Sequence, residues 1–272
     1  MMSIRIYQVD AFTDELYRGN PAAICFPHES ADPNWMQAVA AEMNLAETAF
    51  LRPRDDGSYD LRWFTPKVEV DLCGHATLAS AHTLWESGEL SRTEPAQFHT
   101  RSGLLTARPI DQDWIELDFP SLPPEQVTAP ERLTEALTAQ PQYVGLAAQN
   151  HIVELESAQA VRALEPDFDL LGKHNLCVIA TSVSDDPEFD FISRYFAVPF
   201  GINEDPVTGS THCTLGPYWQ SRLDKNEFVA YQASARGGIV KVRVAGDRTY
   251  LAGQAVTVLR GELTEPALAT LP

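Results

Sequence analysis

Asp71-Leu72-Cys73-Gly74-His75-Ala76-Thr77 has a partner in Asp205-Pro206-Val207-Thr208-Gly209-Ser210-Thr211, the second central glycine lying 135 residues after the first. Each stretch follows an arginine–aromatic–Phe run, Arg62-Trp63-Phe64 and Arg194-Tyr195-Phe196. Each also precedes a helix-like segment carrying a tryptophan, Trp85 or Trp219. One unit is therefore written twice: a strand, a Gly-centred turn and the start of a helix. A period of about half the chain implies two similar halves rather than a solenoid, whose repeats run to about 20–50 residues. The first amides of a helix have no partners within it, and the dipole is positive there, so each turn is a candidate anion site. Two such turns suit the capture of a small carboxylic acid.

Around these turns the chain reads as many short strands. Ile4–Phe12, Asn20–Cys25, Thr48–Leu51 and Tyr59–Phe64 show strand patterning. Asp32-Pro33 reads as an N-cap and first helical residue of a helix ending near Asn44. The Gly74 turn leads into an alanine-rich helix closed by Gly88, and strands are predicted near Phe98–Arg108 and Trp114–Asp118. Pro120, Ser121, Pro123 and Pro124 form the linker, which places one half at 1–122 and the other at 123–272. In the second half, helix-like segments start at Pro130 and Ala158, and strands lie near Leu176–Thr181 and Phe191–Phe196. After the Gly209 helix come short strands near Phe228–Ser234, Ile239–Val244, Thr249–Leu251 and Ala255–Leu259. The expected class is α/β (α+β): each half is a curled, mostly antiparallel sheet around one central helix.

A chain of 272 residues buries a sizeable core without disulfide or metal staples. The net charge of −18, from 38 acidic and 20 basic residues, repels phosphate backbones and anionic lipid, and no basic stripe overrides it. Neither nucleic acid nor a membrane surface is an expected partner. Cys25, Cys73, Cys177 and Cys213 are scattered, with no C-x-x-C pair. With no apolar run long enough to span a bilayer, a reduced cytoplasm is the expected location. Nucleotide fingerprints, G-x-G-x-x-G or a Walker lysine, are missing. His75 and His82 stand about 10.5 Å apart along a helix rising ~1.5 Å per residue, too far for one zinc ion with bonds of about 2 Å. No metal is expected.

Glu47 sits at a helix-to-strand junction among apolar neighbours, in Asn44-Leu45-Ala46-Glu47-Thr48-Ala49-Phe50. Most lone glutamates are solvated charges, most turn aspartates such as Asp205 are structural, and Ser210 reads equally as an N-cap. Cys73 precedes Gly74, where a helix dipole lowers a thiol pKa, yet a buried cysteine is usually a small hydrophobe. Two-thiol racemase chemistry needs a second cysteine just before the second turn; that place reads Asp205-Pro206, and Cys213 lies a turn too late.

Taken together, Gln8-Val9-Asp10-Ala11-Phe12-Thr13, Gly19-Asn20-Pro21-Ala22-Ala23, Asn44–Phe50, Arg62-Trp63-Phe64-Thr65-Pro66, Cys73–Thr77, Glu204–Ser210 and Arg236-Gly237-Gly238 resemble the phenazine-biosynthesis isomerase-like (PhzF-like) family, a branch of the diaminopimelate epimerase-like superfamily. The resemblance implies two pseudo-symmetric halves with the active site in the cleft between them. It implies Glu47 as general acid/base, assisted by His75, Asp205 and Ser210, with no cofactor and a homodimeric assembly. The expected activity is a cofactor-independent isomerase that moves a proton on a small carboxylic acid. Gly74, His75, Gly209 and Ser210 would hold the substrate through helix-start amides, while His75 and Asp205 relay protons. The alternatives are an amino-acid epimerase or racemase using Glu47 or Cys73 as one base, and a non-enzymatic binding protein keeping the same cleft.

Overall fold

The computed structural model describes residues 4–27 and 31–264. They form two compact units: the chain to Leu117 together with Gly253 onward, and Asp118–Ala252. In the first unit, strands Ile4–Ala11 and Asn20–Phe26 are antiparallel, and Asn20–Phe26 runs parallel to Glu47–Pro53. Tyr59–Phe64 is antiparallel to Glu47–Pro53 and carries the short strand Glu69–Val70 at its end. It then runs parallel to Ala96–Thr100, which continues antiparallel into Gly103–Pro109 and Ile115–Pro120. Strand Ala255–Leu263 pairs with the free side of Ile4–Ala11.

The helix Gly74–Glu86 lies against this sheet and buries ten of its thirteen residues, from His75 to Trp85. Alanines 76, 79 and 81 let strands approach closely, and Leu78 and Leu84 fill the remaining space. The three buried hydroxyls cost little, because each bonds the carbonyl four residues back: Thr77 to Cys73 at 2.5 Å, Ser80 to Ala76 at 2.6 Å and Thr83 to Ala79 at 2.8 Å. A second helix, Pro33–Met43, has the expected cap: Asp32 Oδ1 accepts from the Asn34 amide, and Asn44 closes the helix in the left-handed region. Met36 and Ala40 pack it on Cys25, Phe50 and Phe64.

The second unit repeats the pairing scheme strand for strand. Tyr143–Ala147 is antiparallel to Asn150–Glu154, which is parallel to Cys177–Val183. Phe191–Ala197 is antiparallel to Cys177–Val183, carries the short strand Ile202–Asp205, and is parallel to Glu227–Gln232. Gly238–Ala245 and Arg248–Gly253 follow antiparallel, and Glu125–Gln126 pairs with Tyr143–Ala147. The helix Gly209–Leu223 occupies the place of Gly74–Glu86, and its own Trp219 is buried. Pro217 inside it cannot bond the Cys213 carbonyl; the Leu122 amide of the Pro-rich stretch takes that carbonyl instead, at 2.9 Å.

The duplicated arginine–aromatic–Phe runs acquire a physical role. Arg62 grips Glu69 with two bonds of 2.7 and 2.8 Å, and Arg194 grips Glu204 with bonds of 2.7 and 2.9 Å. Each guanidinium also lies over the phenylalanine two residues on, Phe64 or Phe196, at 5.2 and 5.0 Å. In both units the arginine thus ties the short strand back onto the sheet just before the helix turn.

Some expectations are corrected. The halves were expected at 1–122 and 123–272, but the C-terminal strand Ala255–Leu263 belongs with the first unit, because its register runs along the whole of Ile4–Ala11. Phe98–Arg108 is a hairpin turned at Thr100–Gly103, not one strand. Beside the central helix of each half, the helix-like segments predicted from Pro130 and Ala158 are the short helices Leu133–Leu137 and Ala158–Arg162; Phe168–Lys173 is a further helix without a predicted counterpart, and all three pack on Val178, Ala180 and Phe196. Residues 1–3, 28–30 and 265–272 lie outside the described residues.

Candidate functional site

In the first unit three functional side chains meet from separate backbone segments. Glu47 is the first residue of its strand, fixed opposite Ala22 by parallel pairing. Cys73 is the N-cap of the central helix, and its side chain makes no capping bond. His75 follows on the first turn and is buried. His75 Nε2 lies 3.1 Å from Glu47 Oε2, and Nδ1 lies 3.5 Å from Cys73 Sγ. Despite that proximity, Glu47 Oε2 has no hydrogen-bond partner of adequate geometry among the described residues. It is a buried carboxylate oxygen of a side chain that is itself 13% exposed.

Asn20 completes the group, with Nδ2 3.3 Å from His75 Nδ1. If the amide donates there, Nδ1 accepts and the N–H of the ring faces Glu47; a fully protonated ring needs the amide turned to present its oxygen. Asn20 is placed by Gly19, whose φ is +61° and whose added Cβ would stand 2.1 Å from the Ala11 carbonyl oxygen. The glycine of Gly19-Asn20-Pro21 is thus required by the backbone, and the asparagine beside it joins the site.

The electrostatics separate the three groups. Burial, the largest influence, pushes the Cys73 thiol up to about 11, and the Glu47 charge adds to this. Burial works against a charged His75, but its interactions with Cys73 and Glu47 together outweigh it and hold the imidazole well above its usual range. Because the folded value is raised, the resulting stabilisation is fully present below the ordinary value of 6.5 and is lost as pH rises through the folded value. The stability deficit of His75→Gln, measured by chemical denaturation, is therefore expected to be larger at about pH 6 than at about pH 9. Equal deficits at the two pH values would contradict the assigned charge.

The second unit presents a different chemistry at matching positions. Strand register makes Cys177 the counterpart of Glu47: Thr48 faces Phe64 as Val178 faces Phe196. Thr208, not Asp205-Pro206, is the counterpart of Cys73, since each caps its helix one residue before the glycine. Ser210 stands where His75 does. Cys177 is buried and pushed up to about 11. Tyr195, opposite Ile179, donates to Asn150 Oδ1 at 2.9 Å. No thiol pair and no second carboxylate occupy these matched places.

Asp205, the expected proton-relaying partner, is buried at the end of its short strand. Thr208 Oγ1 donates to its carboxylate, while Gln232 accepts from the Thr208 amide and donates to the Asp205 carbonyl, both at 2.9 Å. Gly209 is buried and Ser210 exposed on the first turn that follows. His212 is buried, bonds the Thr208 carbonyl at 2.8 Å and is pushed down to about 4 by burial. Sequence reasoning missed Asn20 as a site residue, although it lies within a quoted motif. It also missed Gln232, for which no local signal exists.

Glu47, Cys73 and His75 each offer one ligand atom, all within 4.8 Å of one another. The expectation of no metal rested on His75 and His82, and this donor set is a different one. His82 is a partly buried helix residue beside Thr257, 3.2 Å away.

A duplicated unit of curled sheet around a central helix is the epimerase-like class of fold. The family model described as "Phenazine biosynthesis-like protein" matches residues 9–261, and the chain belongs to that family. An uncharacterized isomerase of Halalkalibacterium halodurans is 56% identical over 265 residues, covering 97% of this chain and 99% of its own. The crystal structure of a PhzF family phenazine biosynthesis protein from Enterococcus faecalis superposes with a TM-score of 0.92 at 38% identity, covering 97% of this chain and all of that one. A predicted epimerase from Pseudomonas aeruginosa shares the fold, with a TM-score of 0.73 at 21% identity over 96% and 99% of the two chains.

Proposed function

We propose that the protein is an isomerase that moves a proton on a small carboxylic acid, with Glu47 as the single general acid/base. Relatives that carry the name isomerase support the reaction class. The observation that carries the assignment is the geometry of Glu47: a buried carboxylate oxygen without a satisfied partner, 3.1 Å from His75 Nε2. A base must be within reach of the proton it takes, and the Glu47 side chain, buried at Oε2 beside His75, is still 13% exposed. His75 assists by presenting an N–H to Glu47. Cys73 stays a neutral thiol. Gly209 and Ser210 are proposed as substrate-holding groups of the second unit, by way of helix-start amides, and Asp205 as a proton relay. No cofactor enters the reaction, and the protein is proposed to work as a cytoplasmic homodimer.

The asymmetry between the units supports one base rather than two. An epimerase that takes a proton on one face and returns one on the other needs a second acid/base. Cys177, Thr208 and Ser210 offer none at the matched positions.

Small carboxylic acids screened for hydrogen exchange in deuterated water test the proposal, with Glu47→Gln as control. Exchange at a C–H next to a carboxylate or conjugated carbonyl is expected in the wild type and lost in the variant. Cys73→Ala is expected to cost less than about tenfold in turnover, since the thiol acts mainly as a small packed side chain. A loss as deep as that of Glu47→Gln would return the alternative of a thiol base.

A further inference from the structure

We infer that Gln232 is a positioning residue of the second unit: it turns the Thr208 hydroxyl onto Asp205 and holds that carboxylate in one orientation as a proton acceptor. Gln232 is fully buried at the end of strand Glu227–Gln232. Its Oε1 accepts from the Thr208 amide at 2.9 Å, while its Nε2 donates to the Asp205 carbonyl at 2.9 Å and to Thr208 Oγ1 at 3.2 Å. These partners fix which way the side-chain amide lies. Turned over, it would set oxygen against a carbonyl and N–H against N–H. Because Thr208 Oγ1 receives an N–H from Gln232, its single proton points elsewhere, and Asp205 Oδ2 accepts it. A donor fixed on a carboxylate favours the ionised form.

An N-cap threonine ordinarily spends its side-chain oxygen on an amide two or three residues on, yet Thr208 makes no such bond. Its hydroxyl is diverted to Asp205, which leaves the first-turn amides to another acceptor. The rest of the turn is held from the same strand end. Ser234 Oγ donates to the Pro206 carbonyl at 2.7 Å and accepts from the Gly237 amide at 3.1 Å. Gly237 has φ +68°, and an added Cβ would stand 2.1 Å from the Tyr231 hydroxyl. Gly238 then pairs with Gln232, so the Arg236-Gly237-Gly238 run serves the turn that carries Asp205. The titratable neighbours in this unit are neutral near pH 7. Burial pushes up Tyr195, which pairs with Asp205, pushes Cys177 beside it up to about 11, and pushes His212 down to about 4. Glu204, the preceding residue, is closed on Arg194. The catalytic consequence rests on Asp205 being a proton relay; the hydrogen-bonded array does not.

NMR reads the array without any substrate. Full-length protein carrying ¹³C-labelled aspartate is titrated with acid, and the Asp205 carboxyl signal is assigned by its absence from Asp205→Asn. Thr208→Val is expected to raise the pH midpoint of that signal by about one pH unit, since a hydrogen bond to the charged form is lost. Gln232→Met should raise it in the same direction, and should add nothing in the Thr208→Val background, because it acts through Thr208. Thr208→Ser, which keeps the hydroxyl, should keep the wild-type midpoint. A merely structural glutamine would lower the unfolding temperature on replacement and leave the midpoint in place. An unmoved midpoint in Gln232→Met, or a full additional rise in the double variant, overturns the inference. Should Gln232→Met fold poorly, an unmoved midpoint in Thr208→Val overturns it equally. Undiminished proton exchange in Asp205→Asn would sink the relay alone, whereas unmoved midpoints beside an exchange-silent Asp205→Asn would sink the array alone.

Discussion

Replacing Arg194 by methionine is expected to lower the midpoint of thermal unfolding by about 5–10 °C, the largest effect on stability foreseen for a single substitution outside the site. Arg194 bonds both oxygens of Glu204, donates to the Leu164 carbonyl at 2.7 Å and lies over Phe196. The side chains of the pair are 12% and 20% exposed. Removing one partner of a fully buried pair costs about 3–5 kcal/mol, because the other charge is left uncompensated; solvent access here reduces that to about 2–4 kcal/mol. Arg62→Met should cost less, although the motif is the same. Glu69 has a second cation in Arg101, whose Nη2 is 2.6 Å from Oε2, so its charge is not stranded. Differential scanning calorimetry of the two variants and of Arg194→Met/Glu204→Gln checks this. The double variant should recover part of the loss. A midpoint within about 1 °C of wild type for Arg194→Met would show that the pair holds nothing together.

The duplication was legible because it is carried by turn chemistry. A glycine opening a helix and an arginine–aromatic–Phe run are local features, and both units keep them at Gly74 and Gly209. The helix from Pro33 was legible for the same reason, through Asp32 and Pro33. Features set by pairing were not. That Cys177 stands in the place of Glu47 follows from strand register, which one chain's pattern does not reveal. The hairpin Ala96–Pro109 is read as the single strand Phe98–Arg108, although Ser102-Gly103 at its turn is a local turn signal. The helices Leu133–Leu137, Ala158–Arg162 and Phe168–Lys173 are too short for periodicity to bound them, and Phe168–Lys173 was missed altogether. The return of Ala255–Leu263 to the first unit is a long-range pairing with no local mark.

At the site, Glu47, Cys73 and His75 were each singled out in the sequence, and the structure brings these three together. Asn20 could have been added from its place beside Gly19. Gln232 could not, because its part is to hold the cap at Thr208 across a distance only folding closes. Asp205 and Ser210 were named through family resemblance, and their contribution to binding belongs to the proposal.

Glu47→Gln is expected to lose turnover on the order of a hundredfold or more, within the 10²–10⁴-fold that a general acid/base typically contributes. The amide keeps the size of the side chain and a polar contact for His75, but it cannot accept a proton. Substrate should therefore still bind, and the loss should fall on kcat and not on KM. The most direct measurement is hydrogen exchange at the substrate's acidic C–H, followed by NMR in deuterated water for wild type, Glu47→Gln and Cys73→Ser under saturation. A single carboxylate base predicts exchange in the wild type and in Cys73→Ser, and none above background in Glu47→Gln. Continued exchange in Glu47→Gln with a silent Cys73→Ser would place the base on the thiol and contradict the account.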